Sequence, residues 1–217
     1  MAAHLDPLSA LVTALEREHI IPDVLPPSFT PSVLFSIVYP NGKEVILGNE
    51  FLVEETLDEP SISFTPLNIP SEQAGDNSTP GEEVSYTLAM LDPDAPTRKD
   101  PIYITFRHWL VTGLKSPQHK NATNTAPDMI ALKSKPDTTP YRPPGPRPNS
   151  GLHRYIFLLF QEPTGIKDGF TVPADAPEHG AALEERRSWN AIDFGKKYGL
   201  KLVGVNFFLM RSTTLTE

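Results

Sequence analysis

Two short segments of the chain carry residue types from which an anion site can be built. The first runs Leu91-Asp92-Pro93-Asp94-Ala95-Pro96 and continues to Arg107-His108-Trp109. The second is Gly151-Leu152-His153-Arg154-Tyr155, preceded by Pro143-Pro144-Gly145-Pro146. An imidazole with a reference pKa of about 6.5 becomes a cation for phosphate in modestly favourable surroundings. Asp92 can orient such a ring and favour its protonated form. Pro93 and Pro96 stiffen the turn that carries Asp92 and Asp94, which suits a preorganised site. The Gly145 turn can add backbone N–H donors. Tyr155 lies two residues after His153 and so shares its sheet face, where its hydroxyl can donate. A plainer reading stands beside each of these. Either aspartate can serve its own turn, and either histidine can be a satisfied core residue.

Catalysis finds less support in these residues. No G-x-S-x-G elbow, Walker loop, H-E-x-x-H or G-x-G-x-x-G is present. Aspartate and histidine supply two members of a hydrolytic triad, but no serine stands in an obvious nucleophile context. Two histidines with two aspartates could ligate a metal, yet their spacing matches no named metal motif. Neither a metal nor a cofactor is expected.

Apolar runs must position these groups. The spacing predicts strands at Val33–Tyr39, Glu44–Leu47, Ile62–Pro66, Val84–Leu91, Phe106–Thr112, Leu152–Phe160 and Leu202–Met210. Asn41-Gly42 marks a hairpin turn. Tyr155 to Phe160 is apolar at every position, so it should be a central strand with both faces covered. Two sheets packed face to face satisfy that pattern, giving a mainly β, antiparallel two-sheet sandwich with short peripheral helices. A first helix is expected with Asp6 as its cap and Pro7 in its first turn; Leu8, Leu11, Val12 and Leu15 form its apolar stripe. That stripe either packs on its own domain or is offered to a partner. A later helix is predicted over Ala181–Tyr198, ending at Gly199. Residues 1–21 thus read as an N-terminal helical arm and 22–217 as one domain. Polar, proline-rich loops are expected at Asn68–Glu83 and Lys115–Asn149.

Composition narrows the function further. The 217 residues include 24 prolines, roughly twice the usual share, which favours short strands over long helices. Lys and Arg total 19 against 27 Asp and Glu, a formal net charge of −8 that argues against nucleic acid as a partner. Cysteine is absent, which excludes disulfides and thiolate chemistry. The first 21 residues hold no uninterrupted apolar signal core, and no stretch is long enough to span a bilayer. A cytosolic protein is expected, with at most peripheral membrane contact.

The DPDAP…HW and GLHRY blocks, in this order, resemble those of the phosphatidylethanolamine-binding protein family. The likeness runs from about Pro22 to Met210. It implies a β-sandwich whose pocket takes phosphate-like anions or a phospholipid head group. By that likeness the pocket residues are Asp92, Asp94, His108, Gly145, Pro146, His153 and Tyr155. Phe106 and Arg107 stand where many relatives have Trp and His, and Arg147 is an addition, so a more cationic rim is expected. The N-terminal helix and the Val203–Phe208 ending resemble the fungal carboxypeptidase Y inhibitor branch. That branch implies a non-enzymatic regulator that inhibits a serine carboxypeptidase through its N-terminal end. The alternatives are an accessory or enzyme-like role in a natural-product pathway, and regulation of a signalling kinase or GTPase.

Overall fold

The computed structural model describes residues 7–65, 84–115, 130–166 and 169–214, with Pro7 and Thr65 described by backbone alone. The expected Asp6 cap and the loop at 68–83 lie outside them. Three α-helices occur among the described residues: α1 (Pro7–Arg17), α2 (Ile20–Asp23) and α3 (Ala191–Tyr198). The strands are β1 (Leu34–Val38), β2 (Glu50–Phe51), β3 (Ser61–Thr65), β4 (Ser85–Asp92), β5 (Phe106–Lys115), β6 (Leu132–Lys133), β7 (Leu152–Gln161) and β8 (Lys201–Arg211).

The chain is mainly β, but its sheets are unequal. Six strands form one sheet in the order β2-β8-β7-β4-β5-β6, and β1 pairs with β3 in a second sheet of two. Pairing is antiparallel except between β2 and β8, which run parallel. The expected sandwich of two antiparallel sheets therefore becomes one large mixed sheet with a small sheet against one face.

Both faces of the large sheet are covered, which explains strands that are apolar at every position. On one face Leu88, Met90, Tyr155, Phe157, Leu159 and Phe208 pack with Phe35, Ile37, Ile62 and Phe64 of the small sheet. On the other, Ala89, Leu91, Ile156, Leu158, Phe160 and Phe207 meet the helices. Gly204 lets β1 approach β8: a Cβ there would lie 2.7 Å from the Val33 carbonyl oxygen.

Two expected elements differ. Glu44–Leu47 forms no strand; Glu44 makes a single bridge to Val38 before Leu47 and Gly48 turn the chain at positive φ. The hairpin turn ahead of it is present, with Gly42 at φ 84° and Tyr39 N–H donating to the Lys43 carbonyl. The late helix begins only at Ala191, because Asn190 caps it with its side chain and Ser188 sits at φ 54°. Ahead of it, 181–190 follows an irregular path with one short turn, Glu184–Arg186. Gly199 ends α3 at φ 67°, as its position suggested.

The N-terminal helix lies on the sheet. Leu11 and Leu15 are buried in the core on the helix face, while Leu8 and Val12 are half-buried. The domain's own interior thus occupies the stripe, and these two leucines reach a partner only if α1 detaches.

Candidate functional site

β4 runs antiparallel to both β5 and β7, so its C-terminal end meets the N-terminal ends of both neighbours. Asp92, His108, His153 and Tyr155 all sit at that junction. A cavity of about 210 Å³ opens there, lined by Asp92, His108, Gly145, Pro146, His153 and Tyr155 together with Tyr103, Phe106, Arg142, Arg147, Leu183 and Arg187. Six of the seven residues expected to form the pocket therefore share one cavity.

A bulge brings His108 to it. Met90 pairs with Trp109 and Leu91 with Arg107, leaving His108 as the extra residue on β5. Such a bulge re-aims a side chain, and here it puts the imidazole 5.2 Å from the Tyr155 ring and 4.8 Å from Phe106. His108 Nδ1 lies 2.8 Å from the Arg142 carbonyl oxygen. A carbonyl only accepts, so Nδ1 carries the hydrogen and Nε2 is free to accept from the cavity. Burial, only partly offset by the Asp92 charge, lowers the pKa of His108 to about 4. This ring is neutral at physiological pH rather than the expected cation.

His153 is held differently. Its Nδ1 lies 2.8 Å from Asp92 Oδ2 and its Nε2 lies 2.9 Å from Ser150 Oγ. Both ring nitrogens thus have protein partners, and His153 acts chiefly by holding the Asp92 carboxylate. Burial and the Asp92 charge push the Tyr155 phenol well above its ordinary pKa, so it remains a donor.

Ser150, His153 and Asp92 reproduce the connectivity of a hydrolytic triad, with a serine that sequence spacing did not single out. The surroundings do not complete it. The Ser150 N–H donates to the Arg147 carbonyl and the Gly151 N–H to Ser212 Oγ, so neither is free to hold an oxyanion. Ser150 is also absent from the residues that line the cavity.

Asp94 stands apart from the pocket. Its carboxylate receives Arg154 Nε at 2.9 Å, Nη2 at 2.7 Å and the Arg154 backbone N–H at 2.9 Å. Arg154 leaves β7 on the face opposite His153, and its Nη1 donates to the Glu18 and His19 carbonyls and to Asp23. Asp94 thus clamps the N-terminal helices to the sheet. Its link to the pocket is one hydrogen bond, from its N–H to Asp92 Oδ1 at 2.7 Å.

Arg107 is also elsewhere. The bulge turns it away from the cavity, where it is buried, stacks on Trp189 and donates to the Pro177, Gly180 and Glu185 carbonyls. Arg186 answers from the other side, donating to the His108 and Pro140 carbonyls. These two arginines fix the irregular 177–190 segment as one wall of the cavity. The cationic rim comes instead from Arg142, Arg147 and Arg187; only Arg147 was singled out by sequence. Arg187 lies 4.3 Å from the centre of the Tyr103 ring.

Comparison with known proteins identifies the family. The family model described as phosphatidylethanolamine-binding protein matches residues 43–208. The chain is 31% identical over 216 residues to the Saccharomyces cerevisiae protein YLR179C, covering 95% of this chain and 96% of that one. It is 28% identical over 216 residues to the carboxypeptidase Y inhibitor of the same yeast, covering 94% and 96%. Among solved structures, the carboxypeptidase Y inhibitor complexed with its cognate proteinase superposes with a TM-score of 0.76 at 27% identity, covering 98% of this chain and 100% of that one. A phosphatidylethanolamine-binding protein from Plasmodium vivax shares the fold, with a TM-score of 0.65 at 24% identity over 93% and 97% of the two chains. The family model over residues 43–208 and the 31% identity across nearly the whole of both chains place this chain in the phosphatidylethanolamine-binding protein family.

Proposed function

We propose that this is a non-catalytic binding protein whose cavity receives a phosphate group, free or in a phospholipid head group. The observation that carries the proposal is the shared cavity itself: the Tyr155 hydroxyl and three guanidiniums can donate to an anion, and His153 and Ser150 hold Asp92 in place. The partnered N–H groups around Ser150 favour binding over turnover. Calorimetric titration with O-phosphoethanolamine tests the pocket in His108→Ala, which removes the acceptor that Nε2 offers to the ligand's ammonium group. Affinity should fall by about tenfold or more, the scale of one buried polar contact, with unfolding still cooperative. Unchanged affinity counts against the pocket.

A second reading is inhibition of a serine carboxypeptidase through the N-terminal end. It is supported by the likeness to the carboxypeptidase Y inhibitor over nearly the whole of both chains. Removing everything before Pro22 would strip Leu11, Ala14, Leu15, Ile20 and Ile21 from the core. Deleting residues 2–6 keeps every one of those core residues and is the cleaner experiment. Inhibition of carboxypeptidase Y should disappear while thermal stability holds; full inhibition by the shortened chain would contradict this reading.

A further inference from the structure

The charges around the cavity are unevenly placed. Its lining includes three guanidiniums, on Arg142, Arg147 and Arg187, against one carboxylate, on Asp92. With imidazoles counted neutral, that is a formal +2 in a chain whose net charge is −8. Among the described residues, neither Arg142 nor Arg147 has a carboxylate partner. Arg187 has only Glu184, at 3.7 Å and largely exposed. Its Nε is buried without a hydrogen-bond partner, while its guanidinium lies over Tyr103.

The buried part of the lining holds no lysine or arginine. The His108 ring presents a lone pair at Nε2, and Asp92 presents a carboxylate already engaged by His153. Positive charge is thus concentrated in the arginines, whose planar forks match phosphate oxygens. The volume of about 210 Å³ holds a phosphoryl group and a few further atoms.

We infer that the cavity selects a phosphomonoester dianion over a phosphodiester monoanion, because three arginines against one aspartate match a charge of −2. The inference rests on the anion-pocket reading and sharpens it by naming the ligand class. A monoester presents three terminal oxygens to the guanidiniums. A diester presents two.

The test compares a monoester with a diester that adds a glycerol arm, and an arginine double variant separates the effect of charge from that of bulk. At pH 8, above the second phosphate pKa of about 6, the protein is titrated with O-phosphoethanolamine and with sn-glycero-3-phosphoethanolamine. Both carry the same amine. The monoester should bind about tenfold more tightly, the scale of one additional charge-assisted contact. Replacing the two exposed arginines together, Arg142→Gln with Arg147→Gln, should shrink the ratio to about threefold or less. Equal affinities, or a ratio unchanged in the double variant, overturn the inference while leaving an anion pocket in place. Inorganic phosphate separates the sources: affinity equal to the monoester's assigns recognition to the phosphoryl group alone, and weaker affinity adds a part for the alcohol; either supports the selection by charge. If none of the three probes binds, the anion pocket itself fails.

Discussion

His108 is the extra residue of the β4–β5 bulge, and its burial lowers the imidazole pKa to about 4. The unfolded chain holds this group at about 6.5, so it binds the proton more readily than the folded chain does. The resulting stability is fully present above pH 6.5 and is lost as pH falls towards 4, by roughly 3 kcal/mol in all. Urea unfolding across that range should therefore weaken more in the native protein than in His108→Gln. Asp94 makes a different prediction at the same scale. Arg154 is 3% exposed, and removal of Asp94 strips it of a carboxylate and three short hydrogen bonds. Asp94→Ala should cost about 3 kcal/mol or more in chemical denaturation, the usual penalty for breaking a buried pair. It should spare the cavity's lining residues. In sequence, Asp92 and Asp94 look alike in one stiff turn. What separates them is strand alternation, which sends His153 and Arg154 to opposite faces and gives each aspartate a different partner.

Among the elements, α1 carries the clearest consequence. Its stripe was legible from spacing alone, and Leu15 is completely buried. Leu15→Ala should destabilise the protein by about 2–5 kcal/mol, measured by urea denaturation. A change below 1 kcal/mol would mean that the helix is docked only loosely. The central strands were equally legible, because burial on both faces leaves an unbroken apolar run. The bulge at His108 was not, since an extra residue leaves no mark on hydrophobic spacing. The same holds for 181–190, where a helix-like pattern gives way to Arg186 and Trp189, both buried by contacts distant in sequence. Arg142 and Arg187 escaped notice for that reason: they join the cavity only through the folding of two long loops. Close packing of β1 on β8 gives one more test. Gly204→Ala pushes a methyl group against the Val33 carbonyl and should cost about 1–3 kcal/mol, read as a fall in thermal midpoint.

At the scale of the whole molecule, a large mixed sheet covered on both faces forms a rigid frame, and the site lies where three of its strands end. Helices on one face and the small sheet on the other leave that edge to loops, so the frame fixes Asp92, His108, His153 and Tyr155 while the loops supply the arginines. Ring ¹⁵N NMR of the histidines reports directly on binding at that edge. On titration with O-phosphoethanolamine, the His108 Nε2 resonance should move saturably, since this nitrogen is free within the cavity. His19 and His179, which do not line it, should stay still. Saturable binding that leaves His108 unmoved would place the ligand elsewhere and rule out this cavity as the binding site.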